Sequence, residues 1–284
     1  MIQKNSPQLQ KKFKLSPPIQ QTFSIMGIVN VTPDSFSDGG LFLEPKAAIT
    51  HCYRLIENGA DIIDIGGEST KPGADFVTEQ EEWERLAPVI QELTKNNLEN
   101  IKLSIDTRKP LIMKKAMDLG VHYINHIATD PIDQCTIKHL VRTKTSYIAT
   151  HINKNPRIMQ KAPLQQEEVA SKVQEFFDVT YKRLINHGLS HENIYFDPGI
   201  GFGKTDAANL QLMSYTSHFA SRYNIAIGIS RKSWIGRLLD LKSVQDRDAS
   251  SKTMEIGLAF LGAKIIRTHD VKRLSRLKKA WISY

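Results

Sequence analysis

Short apolar runs that end in a polar or small residue recur eight times along the 284-residue chain and alternate with helical patterns. The runs are Phe23–Asn30, Asp61–Gly67, Ile101–Asp106, His122–His126, Ser146–His151, Ile194–Gly199, Ile225–Ser230 and Lys264–His269. Continuous Ile- and Val-rich runs of this length are typical of strands covered on both faces, as in parallel sheets. The alternation therefore predicts an α/β fold built from repeated βα units.

The segments between the runs have helical periodicity. They are Pro45–Asn58, Thr78–Leu93, Lys109–Leu119, Pro131–Thr143, Gln165–His187, Asp206–Ala220, Asp246–Leu261 and Val271–Ser283. Four of them are followed by a glycine, the residue that commonly ends a helix: Gly59, Gly120, Gly188 and Gly262. Eight strands alternating with eight helices predict a (β/α)8 TIM barrel in a single domain.

The alternative fold is a doubly wound, Rossmann-like sheet, which would need a Gly-rich dinucleotide turn after its first strand. The first run leads instead into Asn30-Val31-Thr32-Pro33. In a barrel, the polar residues at the strand ends form one ring at the C-terminal mouth, where barrel enzymes hold their active sites. That ring is predicted to contain Asn30, Asp64, Asp106, Asn125, His151, Asp197, Ser230 and His269.

The charge balance bears on possible partners. A net charge of +8 suits nucleic-acid binding, or a lysine-rich surface with an affinity for small anions. The basic residues are dispersed, apart from KKFK near the start and KRLSRLKK near the end, and no nucleic-acid motif accompanies them. We expect no nucleic-acid partner.

Localisation and domain limits follow from other simple features. No apolar run approaches the roughly 20 residues that span a membrane, and residues 1–22 lack the hydrophobic stretch of a secretory signal. Cys52 and Cys135 have no metal-like spacing and suit reduced thiols. We expect a cytoplasmic protein without a membrane partner. A flexible basic tail is predicted over 1–22 and the barrel domain over 23–284.

The segment DPGIGFGKT, Asp197 to Thr205, is close to a phosphate-binding P-loop. A P-loop needs glycine where this chain has Pro198, so we do not predict nucleotide binding here. The glycines are interpreted instead as allowing the backbone to approach a flat ligand beside Asp197 and Phe202.

Three aspartates at strand ends, Asp64, Asp106 and Asp197, are candidate site residues. They could be metal ligands, ion-pair partners or acceptors for a planar N–H edge, and a lone aspartate there is more often a helix N-cap. Together with Asn125 around one mouth, they favour a binding site. An ionised carboxylate accepts two parallel N–H bonds, as the edge of an amidine-like heterocycle requires.

Basic residues accompany the carboxylates near the predicted mouth. Arg231 is interpreted as an ordinary loop residue. Arg267 and His269 stand two residues apart at a strand end, which places their Cβ atoms on the same side of the strand. This spacing predicts a fork for a phosphate or pyrophosphate.

Six motifs together resemble the dihydropteroate synthase family in sequence and in order. They are GIVNVTPDSFSDGG, DIIDIGGESTKPGA, SIDT, DPGIGFGK, GISRKS and RTH, and the resemblance runs from about Ile25 to the C-terminus. It implies a (β/α)8 barrel that joins 4-aminobenzoate to 6-hydroxymethyl-7,8-dihydropterin pyrophosphate. Pyrophosphate is released with the assistance of Mg²⁺, and 7,8-dihydropteroate, a folate precursor, is formed. The resemblance also implies a homodimer.

The resemblance assigns roles by position, with Asp106, Lys232, Arg267 and His269 as the catalytic residues. Asn30 would bind the Mg²⁺ that bridges the diphosphate, and Arg267 with His269 would hold that anion. The pterin edge would be bound by Asp106, Asn125, Asp197 and Lys232, with Thr70 between the pterin and the diphosphate. The aminobenzoate pocket would be framed by Phe202, Pro72, Lys232 and Ser233. Two loops, 31–40 and 67–74, would close over the site, with Asp34, Phe36, Ser69, Lys71 and Pro72 as lid residues.

Three residues depart from the family pattern. Thr150 replaces a methionine that would pack on the pterin, His126 replaces an aspartate, and Lys71 replaces an arginine. They leave open a non-catalytic or altered-specificity pterin-binding paralogue. A pterin-dependent methyltransferase is a further alternative, although methyl transfer has no diphosphate for the NVTPDSFSDGG loop to hold.

Overall fold

Eight parallel strands close into one barrel in chain order. The computed structural model describes residues 23–32, 44–68, 76–96, 98–127, 130–154, 158–159, 161–243 and 246–282. The strands are β1 Ser24–Asn30, β2 Ile62–Gly66, β3 Lys102–Asp106, β4 Tyr123–Ile127, β5 Ser146–Thr150, β6 Ile194–Asp197, β7 Asn224–Gly228 and β8 Ile265–Thr268. Because β8 pairs with β1, the barrel has no open edge. The predicted (β/α)8 barrel in a single domain is confirmed.

Helices surround the barrel and return the chain from each strand to the next. They are α1 Glu44–Glu57, α2 Glu79–Lys95, α3 Pro110–Asp118, α4 Gln134–Thr143, α5 Gln166–Asn186, α6 Asp206–Ser214, α7 Thr216–Ala220, α8 Ser233–Leu239, α9 Asp246–Phe260 and α10 Val271–Ile282, with a 3-10 turn at His191–Asn193. Of the helices in the described ranges, none has the length and apolarity that a membrane crossing requires.

Two details of the helical layer differ from the sequence-based prediction. The segment predicted as one helix is two, α6 and α7, and the hydroxyl of Thr216 donates to the carbonyl of Leu212 at the break (3.3 Å). The short α8 was not predicted. It contains Gly236, a poor helix former, which is required because an added Cβ would lie 2.7 Å from Nε of Arg247.

The predicted helix ends have the expected backbone conformation. Gly59, Gly120, Gly188 and Gly262 have φ angles of +95°, +86°, +93° and +100°. These angles lie in the left-handed region, which side chains with a Cβ rarely adopt. Glycine at these positions therefore ends four helices and turns the chain toward the next strand.

Side chains along the strands alternate between the helical layer and the barrel interior. At the N-terminal end the interior is filled by one apolar cluster: Met26, Ile62, Tyr123, Ile148, Ala226 and Ile265. Two residues further along the same strands stand Ile28, Asp64, Asn125, Thr150, Gly228 and Arg267. The interior therefore changes from apolar to polar within one side-chain layer, and this change positions the candidate site at the C-terminal mouth.

Candidate active site

Asp64, in β2, is fully buried, with 0% exposure. Its carboxylate accepts hydrogen bonds from the hydroxyl of Ser104 (2.6 Å), the side-chain amide of Asn125 (3.1 Å) and Nε of Arg267. The prediction placed Asp64 in the ring of strand ends, and this is corrected. Asp64 lies within β2 and pairs in register with Ser104, whereas Gly66 pairs with Asp106. It therefore forms a layer beneath the mouth.

Asp106 ends β3 and shares Arg267 with Asp64. Nη2 of Arg267 donates to Oδ2 of Asp106 at 2.5 Å. Burial raises the pKa of Asp106 to about 7, opposed by the charge of Arg267 and assisted by that of Asp64. Although burial acts in the opposite direction, the two carboxylates raise the pKa of Arg267. The guanidinium predicted to hold a diphosphate is thus directed at two carboxylates.

Asp197 ends β6 beside Thr150, with which it pairs in register. The backbone N–H of Gly199 donates to Oδ1 of Asp197 at 2.7 Å. Burial raises the pKa of this carboxyl, while the charge of Lys232 and the Gly199 N–H oppose the rise. One carboxylate oxygen is fixed by the loop, and the second oxygen is available to accept from a ligand.

Lys232 follows β7 and extends toward the loop after β6. Its ammonium donates to the carbonyl of Ile200 and lies 4.3 Å from the ring centroid of Phe202, a cation–π distance. Burial lowers the pKa of Lys232 to about 8, partly offset by the charge of Asp197. Phe202 packs against a small apolar cluster of Ile127, Ile152 and Met159. Lys232 and Phe202 therefore form one wall of the mouth.

His269 follows β8 and is held by Ser230. The Ser230 hydroxyl oxygen accepts the backbone N–H of His269 (3.2 Å) and lies 3.1 Å from Nδ1 of its ring. Burial and the charges of Arg231 and Arg267 lower the pKa of His269 to about 3. The imidazole is therefore neutral at pH 7, with one donor and one acceptor nitrogen.

Arg231 has a structural role that the sequence analysis did not identify. Its guanidinium forms two hydrogen bonds of 2.9 Å with the carboxylate of Asp248 on α9. Its backbone has a φ of +60°, uncommon for a residue with a Cβ. The ion pair fixes the turn between Ser230 and Lys232, and Arg231 therefore shapes the site without lying in it.

The remaining predicted residues are distributed unevenly. Asn30 is half-buried at the end of β1, and Ser233 is exposed at the start of α8. The structure brings one group together around the mouth: Asn30, Asp106, Asn125, Asp197, Phe202, Lys232, Arg267 and His269. Six predicted residues lie outside the described ranges: Asp34, Phe36, Ser69, Thr70, Lys71 and Pro72.

Two of the residues that depart from the family pattern have side chains on neighbouring strands with different partners. Thr150 is buried beside Asp197 at the mouth. His126 points outward from β4, and its Nδ1 lies 2.5 Å from the hydroxyl of Tyr147. Both rings line a cavity of about 290 Å³ between the barrel wall and α5. The ring of His126 therefore lies on the helical side of β4 and not in the barrel interior.

Comparison with known proteins gives the family. A family model described as pterin binding enzyme matches residues 26–269. The curated dihydropteroate synthase of Neisseria meningitidis serogroup C is 39% identical over 262 residues, which cover 90% of this chain and 91% of that protein. The chain belongs to the dihydropteroate synthase family. The dihydropteroate synthase of Escherichia coli K12 is 37% identical over 250 residues, with 87% and 86% coverage.

Solved dihydropteroate synthase structures have the same fold. That of Xanthomonas albilineans with 4-aminobenzoic acid aligns with a TM-score of 0.83 at 34% identity, covering 92% of each chain. The complex of an enzyme from the same organism with 7,8-dihydropteroate aligns with a TM-score of 0.80 at 32% identity, covering 92% of this chain and 93% of that one. The predicted family and its enzyme class, a transferase of folate biosynthesis, are confirmed.

Proposed function

We propose that this chain joins 4-aminobenzoate to 6-hydroxymethyl-7,8-dihydropterin pyrophosphate and releases 7,8-dihydropteroate and pyrophosphate. The observation that carries this proposal is the composition of one barrel mouth. Buried hydrogen-bonding groups, Asp106, Asn125 and Asp197, meet the basic side chains of Lys232 and Arg267 there. The solved relatives with 4-aminobenzoic acid and with 7,8-dihydropteroate support these ligand classes.

The pterin ring edge would bind to the buried carboxylates. The edge presents neighbouring N–H donors, and the oxygen of Asp197 that Gly199 does not occupy can accept from one of them. Asn125 is held by Asp64 and can supply its amide oxygen. Lys232 would donate to the pterin carbonyl or a ring nitrogen.

The chemistry favours a dissociative path. The diphosphate leaves with the electron pair of the C–O bond, and the electron-rich dihydropterin ring stabilises the positive charge left on the carbon. The amine nitrogen of 4-aminobenzoate then forms the C–N bond and loses one proton. This amine is a weak nucleophile because it donates into its aromatic ring, so direct displacement is less favourable. Asp106 would stabilise the cation, while Arg267 and His269 would contact the departing oxygens.

Asn30 would hold the Mg²⁺ that the family implies. Its side-chain amide makes no hydrogen bond with another described residue, and its oxygen lies near Gly66 at the mouth. The described residues contain no cluster of three or more acidic, histidine or cysteine side chains for a metal. A single amide oxygen fits Mg²⁺, which keeps several waters and binds mainly to substrate phosphates. Bound there, the ion would neutralise charge on the diphosphate.

The aminobenzoate pocket would be formed by Phe202, Lys232 and Ser233. Phe202 offers an apolar face for the benzene ring, and Lys232 and Ser233 offer donors for the carboxylate. Thr70, Pro72 and the lid residues keep their predicted roles as part of this proposal. A lid over the site would exclude water from the reactive carbon.

A cytoplasmic homodimer completes the proposal. The C-terminal halves of α9 and α10 expose Phe260, Leu277 and Trp281, of which Trp281 is 55% exposed. The rings of Phe260 and Trp281 pack edge to face, with their centroids 4.6 Å apart. In a βα barrel these helix ends lie away from the C-terminal mouth, so a second copy could pack there without blocking the site. A monomeric mass by light scattering at micromolar concentration would contradict the dimer.

The reaction itself is tested by incubating the protein with the pterin pyrophosphate, Mg²⁺ and 4-aminobenzoate. Formation of 7,8-dihydropteroate supports the proposal. Pterin binding without product would identify an altered-specificity paralogue instead. The dissociative path predicts slow pyrophosphate release without 4-aminobenzoate. A release that strictly requires the arylamine, and follows its basicity steeply, would mean direct displacement.

A further inference from the structure

Lys204 is a buried lysine with an unusual set of partners. It is 2% exposed, and its ammonium donates to the carbonyls of His151 (3.4 Å), Gly199 (2.8 Å) and Phe202 (3.0 Å). It forms no ion pair with a carboxylate in the described part of the chain. A buried ammonium is costly unless its donors are satisfied, and three carbonyls match its three N–H groups.

Three backbone carbonyls, two of them in the loop after β6, meet at the side chain of Lys204. Gly199 has a φ of +66°, and an added Cβ would lie 1.8 Å from the carbonyl oxygen of His151. The glycines, interpreted from the sequence as making room for a ligand, thus make room for neighbouring protein atoms. Three carbonyl dipoles converge with their negative ends on one point, and the ammonium of Lys204 offsets their mutual repulsion.

The contacts of Lys204 lead to the pterin site through one residue. Lys204 holds the carbonyl of Gly199, and the N–H of Gly199 donates to Oδ1 of Asp197 at 2.7 Å. We propose that Lys204 is a positioning residue for pterin recognition, acting on Asp197 through Gly199. The inference rests on the proposed function, in which the second oxygen of Asp197 binds the pterin edge.

A double-mutant cycle tests this proposal, with 6-hydroxymethylpterin as a probe that binds without reacting. Lys204→Met should weaken probe binding about tenfold by calorimetry, and Asp197→Asn should weaken it at least as much. In the Asp197→Asn background, Lys204→Met should change the affinity for the probe less than about twofold. The carboxylate through which Lys204 is proposed to act is already absent from that variant. If the fold-loss of affinity in the double variant equals the product of the two single losses, the proposal is overturned.

Controls separate this role from a general loss of structure. Lys264→Met should leave the affinity for the probe unchanged, since Lys264 donates to Oδ1 of Asn224 at the opposite end of the barrel (2.6 Å). If Lys204→Met does not fold, Lys204→Gln retains two N–H donors and replaces it in the same cycle. Probe binding needs no turnover. If the two substitutions are coupled in probe binding but the protein forms no dihydropteroate, only the synthase activity is rejected. If the protein forms dihydropteroate but the two losses in affinity are independent, only the role of Lys204 is rejected.

Discussion

The two halves of the barrel mouth are built differently. The acidic half consists of Asp106, Asn125 and Asp197, with Asp64 in the layer beneath, and the basic half consists of Ser230, Lys232, Arg267 and His269. In the acidic half, Ser104 and Gly199 are neutral donors that orient the carboxylates of Asp64 and Asp197. Asp64 and Asp106 are paired with Arg267, whereas Asp197 has one oxygen held by Gly199 and its second oxygen oriented to accept from a ligand.

The basic half is already occupied by protein partners. Arg267 pairs with two carboxylates, Lys232 donates to a backbone carbonyl, and His269 is neutral at pH 7. Its positive field is therefore weaker than the residue types alone suggest. Under the proposed function, the pterin ring would therefore be recognised through fixed contacts, whereas diphosphate binding would require displacing internal pairs and would be assisted by Mg²⁺.

The largest effect is expected where the two halves meet, at Arg267. Arg267→Met would leave the carboxylates of Asp64 and Asp106 buried without a cation, and removing one partner of such a pair costs about 3–5 kcal/mol. Urea unfolding at pH 7 should show a loss of this size. The double variant Arg267→Met/Asp106→Asn should recover part of it. An unchanged free energy of unfolding would mean that the halves are not coupled through Arg267.

Within the acidic half, Asp197→Ala should weaken pterin binding far more than Lys71→Ala, a variant of the predicted lid. Removing Asp197 leaves buried pterin N–H donors unpaired, at about 2–5 kcal/mol. Lys71 lies outside the described residues, and in its predicted role as a lid residue its charge would be screened by solvent. Calorimetry with 6-hydroxymethylpterin measures both variants. Equal losses would show that the pterin edge binds elsewhere.

Much of the fold could be predicted because its signals are local. Each strand is a short apolar run, each polar end is visible in the chain, and four helix ends carry a glycine. α8 was missed because Gly236 weakens its helical signal, although that glycine is needed for close packing against Arg247. A tertiary requirement overrode a local propensity there.

The site was predictable only in part, because its pairings span the barrel. Asp106, Asn125 and Asp197 were identified from their positions near strand ends. Arg267, however, pairs with Asp64 across 203 residues of sequence, and no local pattern indicates which acid a strand-end arginine contacts. Lys204 was similarly read only as part of a P-loop-like motif. For Asp64, the sequence offers one indication: it stands two residues after Ile62, so both side chains point into the barrel interior.

A smaller effect concerns the pH dependence of stability in the acidic half. Burial raises the pKa of Asp106 to about 7. This folded-state pKa lies above the unfolded value of about 3.9. The contribution of the Asp106 carboxyl to stability is therefore fully present below about pH 4 and is lost as the pH rises through about 7. Asp106→Asn cannot ionise. Its free energy of unfolding relative to the original chain should therefore rise between pH 4 and 8, by on the order of 1–3 kcal/mol.

Asp178 provides the matched control for this measurement, since the hydroxyl of Tyr223 lowers the pKa of its carboxyl. Its contribution has the opposite sign, because the stability is present at neutral pH and is lost as the pH falls through the lowered value. Asp178→Asn should therefore be less stable than the original chain at neutral pH and should approach it in acid. A flat difference for Asp106→Asn would indicate that Arg267 keeps Asp106 ionised throughout.

The smallest effect is expected in the basic half, where the Ser230 hydroxyl contacts the ring of His269. The imidazole is neutral at pH 7 because burial and the charges of Arg231 and Arg267 lower its pKa to about 3. If the Ser230 hydroxyl donates to Nδ1, from which it is 3.1 Å distant, the ring proton resides on Nε2. Nε2–H can then donate a hydrogen bond to an anion. A neutral His269 would in this way contribute to diphosphate binding.

Ser230→Ala removes one hydrogen bond worth about 0.5–1.5 kcal/mol, so the KM for the pterin pyrophosphate should rise about 2- to 10-fold. Ser230→Thr keeps the hydroxyl and should restore it, while Ser233→Ala should raise mainly the KM for 4-aminobenzoate. Binding of 6-hydroxymethylpterin, which has no diphosphate, should not respond to Ser230→Ala. Equal weakening of both pterins would instead place the effect in the loop that carries Lys232, and the two halves would then not recognise separate parts of the substrate.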